Sequence, residues 1–166
     1  MFGTLSLYPL QPVNEASVIL RLCLAMLVGA IIGWERQLDR KPAGLRTHML
    51  VSLGAAMFVL TSIQIGTPPD IADPVSRVLQ GITTGIGFLG AGEIIEKMPR
   101  SASSDSQTQA IQIQGLTSAA AIWVSASLGV AIGCGLWLMG VFGAIATFVI
   151  LRVLKWLEEA IDRRQR

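Results

Sequence analysis

Apolar residues in this chain gather into five runs separated by short polar stretches, at 18–34, 47–64, 78–95, 115–132 and 134–155. A helix needs about 20 apolar residues to cross a bilayer, and each run approaches or reaches that length. Apolar–polar alternation is absent over these stretches, which argues against a lipid-facing β-barrel. The pattern therefore predicts an all-α fold, a polytopic membrane helix bundle with about five transmembrane helices. Trp34 and Trp156 stand near the ends of the first and last runs, as interfacial anchors do.

The connections sharpen this outline. Gly66 to Arg77 carries Pro68, Pro69 and Pro74, which predicts a loop with the third helix starting near Pro74. Residues 97–114 are rich in serine and glutamine and read as a longer polar loop. Gly133-Cys134-Gly135 is a very short turn, which makes the fourth and fifth helices antiparallel neighbours. Leu154, Leu157 and Ile161 share one helical face, so the tail is expected to continue the fifth helix into the interface. A single domain over 1–166 is expected, with no soluble C-terminal domain. Residues 1–17 lack a basic start, so no cleavable signal is expected.

Composition agrees with the pattern. Charged residues make up 14% of the chain, against about 25% in soluble domains, and mean hydropathy is +0.59. Basic residues also predict an orientation. With the N-terminus outside, eleven of the thirteen lysines and arginines fall on the cytoplasmic side, leaving Arg21 and Arg77 outside. The C-terminus is then cytoplasmic, and the expected location is a bacterial inner membrane, multi-pass.

Candidate chemistry concentrates at the third helix. Residues 81–92 hold five glycines, Gly81, Gly85, Gly87, Gly90 and Gly92. Each would cost about 1 kcal/mol in a soluble helix, whereas in a bilayer small residues let backbones approach closely. These glycines are expected to form a helix-packing or partner interface. Glu93 and Glu96 follow at once, and Glu35, Arg46 and His48 also fall toward the cytoplasmic ends of their helices. An unpaired acid at the bilayer centre costs about 2.5–3.5 kcal/mol on insertion scales. Glu93 should therefore face the bundle or a basic partner such as Arg46. The five residues form either a structural ion pair or a cation or proton site.

Other chemistries find little support. One histidine, with Cys23 and Cys134 toward the far side, does not make a zinc site. The glycine run lacks the lysine and hydroxyl ending of a phosphate loop, and no hydrolytic triad motif is present. No enzyme activity and no cofactor are expected. Arg21 is expected to snorkel outward or to meet Asp73.

Four stretches in order resemble the MgtC/SapB family of bacterial inner-membrane proteins. They are 21–36, 41–51 (Lys-Pro-Ala-Gly-Leu-Arg-Thr-His-Met-Leu-Val), 85–92 (Gly-Ile-Gly-Phe-Leu-Gly-Ala-Gly) and 115–123 (Gly-Leu-Thr-Ser-Ala-Ala-Ala-Ile-Trp). The resemblance covers about residues 18–151 and implies a five-helix membrane domain linked to magnesium limitation. It also implies that some members restrain the F-type ATP synthase. Glu93 departs from the aliphatic residue that many members carry after Gly-Ala-Gly. Taken with the residues, this leads to an expected small inner-membrane regulatory protein of magnesium homeostasis or membrane energetics. Its expected surroundings are the lipid bilayer, a partner such as the ATP synthase, or a second copy in a homo-oligomer, with no nucleic acid. The alternative is a cation or proton transporter or channel using intramembrane carboxylates.

Overall fold

A computed structural model describes residues 13–66, 72–95 and 115–156. Among these residues the chain forms five helices: α1 (Glu15–Leu38), α2 (Leu45–Ile65), α3 (Ala72–Ile95), α4 (Leu116–Gly133) and α5 (Trp137–Val149). A π-helical turn, Ile150–Leu154, prolongs α5 without a break. Four spans, α1, α2, α4 and α5 with its π turn, are long and apolar enough to cross a membrane. The third, α3, has 24 residues, with glycine, threonine and Gln80 interspersed among its apolar positions. No strand occurs among the described residues.

Local chemistry sets the helix ends. Asn14 caps α1 by accepting the Ser17 amide at 2.9 Å, which starts the helix ahead of its apolar run. Pro74 sits in the first turn of α3, where its missing amide costs nothing. At the close of α4, Gly135 adopts φ +83° and the Leu136 amide reaches back to the Ala131 carbonyl at 2.8 Å. That left-handed turn reverses the chain within a few residues, as the short connection predicts.

Helix α4 is the axis of the bundle, since α1, α2, α3 and α5 all pack on it. Its small residues make this possible. Ser125, Ala126, Gly129, Ala131 and Gly133 are buried and bring neighbouring backbones close. The main core joins Val28 and Ile32 of α1, Ala56 of α2, Leu128 and Ile132 of α4, and Ala144 of α5. A second cluster joins Val59 and Ile63 of α2 to Val75 of α3 and Cys134. Large apolar side chains such as Leu20, Phe58, Phe88, Trp137 and Phe142 stand exposed around the outside, where a bilayer would cover them.

The closest helix contacts are not on the glycine run of α3. A methyl added at Gly29 or Gly33 of α1 would come within 2.6 Å of the His48 carbonyl oxygen or 2.7 Å of the Leu45 α-carbon. A methyl at Gly129 of α4 would lie 2.1 Å from the Ser52 carbonyl oxygen. One at Gly133 would lie 3.1 Å from the Ala56 α-carbon. Helix α2 is thus gripped from both sides by a Gly-xxx-Gly pair. The contacts step together by four residues, Gly129 on Ser52 and Gly133 on Ala56, so α2 and α4 run parallel.

Candidate functional site

Helix topology brings the end of α1, the start of α2, the end of α3, the start of α4 and the end of α5 to one end of the bundle. The buried charges collect there. Glu35 is fully buried, Arg36 and Glu93 nearly so, and His48 is fully buried. Arg36 Nε donates to Glu35 Oε2 at 2.5 Å. These two are sequence neighbours, which normally point to different sides of a helix. Packing at the charged end holds both side chains inward.

The network continues through Asp39, the residue that ends α1. Its carboxylate accepts from Lys155 Nζ at 2.6 Å and stands 3.9 Å from Arg36 Nη2. Burial alone would raise the Asp39 carboxyl. The Lys155 hydrogen bond and the charges of Lys155, Arg36 and Lys41 outweigh it and hold the carboxyl below its ordinary range. The chain Glu35–Arg36–Asp39–Lys155 therefore ties the end of α1 to the end of α5. A cavity of about 430 Å³ opens beside it, lined by Asp39, Arg40, Lys41, Pro42, Gly115, Thr117 and Ser118.

His48 lies under this network. Its Nδ1 donates to the Gly44 carbonyl at 2.8 Å, and the ring is within reach of the charges of Arg36, Glu93 and Glu35. The carbonyl can only accept, so Nδ1 carries a proton, and in the neutral ring Nε2 keeps its lone pair.

The sequence candidates separate accordingly. Glu35, His48 and Glu93 meet in the interior, whereas Arg46 is exposed. Arg36 is the buried cation of this end, beside Glu35. Glu96 lies outside the described residues. On α3, Val75 and Glu93 are buried and Ile82, Ile86 and Gly90 are half-buried. Gly81, Gly85, Gly87 and Gly92 are exposed, and a methyl on any of them would meet nothing among the described residues. At Gly90 it would make an ordinary contact, 3.6 Å from the Ala119 β-carbon.

Three features escaped the sequence reading. Asp39 and Lys155 were unremarkable loop and tail charges until the fold joined them. Arg21 finds its partner on α4 and not at Asp73. Its Nη1 donates to the Gly133 carbonyl at 2.8 Å, which places a cation on the C-terminal carbonyls of α4. The Gly29/Gly33 and Gly129/Gly133 pairs carried the same spacing signal as Gly81/Gly85 and were passed over. Cys23 is exposed and Cys134 buried, both as free thiols.

The described residues hold no group of three or more histidine, cysteine, aspartate or glutamate side chains placed to hold a metal ion. The MgtC family model matches residues 22–160, most of the chain. This chain belongs to the MgtC family. SrpB of Synechococcus elongatus is 44% identical over 147 residues, covering 87% of this chain and 79% of SrpB. MgtC of Salmonella typhimurium is 41% identical over 145 residues, covering 87% of this chain and 54% of that protein. YhiD of Escherichia coli K12, named there as a proposed magnesium transporter, is 36% identical over 146 residues, covering 86% and 62%. The matched region thus spans under two thirds of MgtC and YhiD. No solved structure matches the chain. Family membership and four apolar spans make this a membrane protein.

Proposed function

We propose that this chain is an inner-membrane regulator linked to magnesium homeostasis, acting through helix contacts with a larger membrane complex. The magnesium link rests on the names of its relatives MgtC and YhiD. The observation that carries the mode of action is the outward face of α3. Gly81, Gly85 and Gly92 recur at helical spacing on an exposed flank of α3, roughly a quarter-turn from Val75, Ile82 and Glu93, and they touch nothing of this chain among the described residues. A flat glycine face in lipid lets another helix approach to backbone distance, where dispersion and weak hydrogen bonds act. The F-type ATP synthase is the candidate partner, no catalytic step is assigned to the chain, and the N-terminus is placed outside the membrane.

Gly85→Leu tests this reading because the substituted side chain would project away from the bundle. The variant is expected to melt at the wild-type temperature and to lose at least about tenfold of the ATP synthase captured from native membranes. Equal capture by both proteins would overturn the proposal. The rival reading, conduction of a cation or proton past Glu93, predicts flux in liposomes that Glu93→Gln abolishes. Fully buried Ala56, Val59, Ile63 and Ile132 close the bundle beyond the charged end, which favours the regulator.

A further inference from the structure

The turn that follows α1 carries more positive charge than its surroundings neutralise. Asp39, Arg40, Lys41 and Pro42 form one wall of the cavity of about 430 Å³ at the charged end. Gly115, Thr117 and the buried Ser118, at the start of α4, form the other. Asp39 is the only carboxylate among the described residues that line it, and its charge is already met. It accepts from Lys155 Nζ at 2.6 Å and stands 3.9 Å from Arg36 Nη2. Arg40 and Lys41 are exposed, and neither has a carboxylate within ion-pair distance among the described residues. The cavity is therefore left with surplus positive charge.

The opposite wall has the same preference. Helix α4 begins at Leu116 with no side-chain cap. The first amides of a helix lack intrahelical acceptors and carry partial positive charge. This end of α4 is held in place by α3, since a methyl at Gly115 would lie 3.0 Å from the Glu93 carbonyl oxygen. Arg40 itself adopts φ +53°, a conformation that glycine or asparagine takes more readily. The cavity thus has two cations on one wall and a seated helix start on the other.

Its depth in the membrane points to the ligand. Trp34, five residues before Asp39, and Trp156, next to Lys155, are both exposed, as side chains at the membrane interface are. Asp39 lies about 7.5 Å beyond Trp34 at 1.5 Å per residue, and a headgroup layer is about 5–8 Å thick. The cavity therefore opens among lipid headgroups.

We propose that this cavity binds a phosphate group, carried by an anionic phospholipid headgroup or by free phosphate, through Arg40, Lys41 and the first amides of α4. An arginine fork matches phosphate oxygens in pairs, and lysine adds a compact charge. The volume falls within the range of about 300–1,000 Å³ that small-molecule sites occupy. Basic pockets between membrane helices hold anionic headgroups in this way, and the headgroup depth favours the lipid as source. A divalent cation does not suit the cavity, because the carboxylate it would need is engaged by Lys155. A bound headgroup would bridge the α1–α2 turn to α4 and make this end of the bundle sensitive to anionic lipid. This goes beyond the partner reading and does not depend on it.

Two double variants of equal charge test the site in the full chain in non-ionic detergent. Arg40→Gln with Lys41→Gln removes the cations of the cavity. Arg46→Gln with Arg152→Gln removes two exposed cations of the same end that do not line it. Native mass spectrometry with dioleoyl phosphatidylglycerol should show lipid retained by the wild type and by the second pair. The first pair should bind it at least about tenfold more weakly, and dioleoyl phosphatidylcholine should be held weakly by all three. Thr117→Asp should fold, because an acid in the first turn suits a helix, and should also lose the lipid. Thermal melting in inorganic phosphate against chloride at equal ionic strength distinguishes the source. A phosphate-dependent rise in the wild type, absent from the first pair and without lipid retention, would assign a free anion to the same site. Equal weakening in both pairs would mean general charge attraction and overturn the proposal. So would a wild type that responds to neither probe, or full lipid binding by folded Thr117→Asp.

Discussion

The α-carbon of Gly129 faces the Ser52 carbonyl oxygen so closely that a methyl group there would come within 2.1 Å of it. The obstacle is backbone, which cannot rotate away as a side-chain tip can. Gly129→Ala must therefore push α4 off α2, and overpacking of this kind costs about 1–3 kcal/mol and sometimes more. We expect a clear fall in thermal stability in detergent. Gly54→Ala is the matched control, since nothing described lies within 4 Å of its added methyl. It should be neutral or stabilising by up to about 1 kcal/mol. Equal melting temperatures for the two variants would show that the α2–α4 joint is looser than this contact implies.

Burial separates the two cations of the charged end. The Arg36 side chain is 3% exposed beside a fully buried Glu35, whereas Lys155 is 42% exposed on Asp39. Arg36→Met leaves a carboxylate in the core without its cation and is expected to cost about 3–5 kcal/mol. Lys155→Met loses a largely solvated pair, worth about 1 kcal/mol or less. Denaturant unfolding in micelles would rank them, and a larger loss for Lys155→Met would contradict the assignment.

Acid should loosen the tie between α1 and α5. The Asp39 carboxyl is held below its unfolded value, so its contribution to stability is complete above that value, about pH 4. It is lost as pH falls through the lowered folded value. Melting temperature measured from pH 7 down to pH 3 should show an acid-side fall that is shallower in Asp39→Asn. The variant should be the less stable of the two at pH 7. Parallel curves would remove Asp39 from the account.

Arg21 contributes from the opposite end. Its guanidinium donates to the Gly133 carbonyl and lies against Gly135 at the turn into α5. A hydrogen bond to a charged group is worth about 1.5–3 kcal/mol, and Arg21→Met should lose that amount of stability. Proteolysis at residues 134–136 would report whether the turn has opened, and unchanged protection would place the loss elsewhere.

Much was legible in the sequence because of where the information resides. Membrane spans are a property of length and hydropathy along the chain, so the five helices were set by runs of apolar residues, with the start of α3 marked by Pro74 and the turn after α4 by Gly135, whereas the Asn14 cap that starts α1 ahead of its apolar run emerged only from the structure. The pooling of acids and His48 near one end also followed, since alternating helices bring alternate loops together. Which glycines make joints did not follow. Gly29/Gly33, Gly81/Gly85 and Gly129/Gly133 share one spacing, and spacing names a face of a helix without saying what lies opposite. Only packing turned the first and third pairs onto α2 and left the second facing outward. The same holds for charge. Position along the chain pointed to Arg46 as a basic partner, whereas the fold exposes it and buries Arg36 beside Glu35. The sequence alone determined how many helices form and which end carries the charge. The tertiary structure alone decided which faces touch, because contact depends on the rotation of each helix about its axis, and that rotation is set by all its neighbours together.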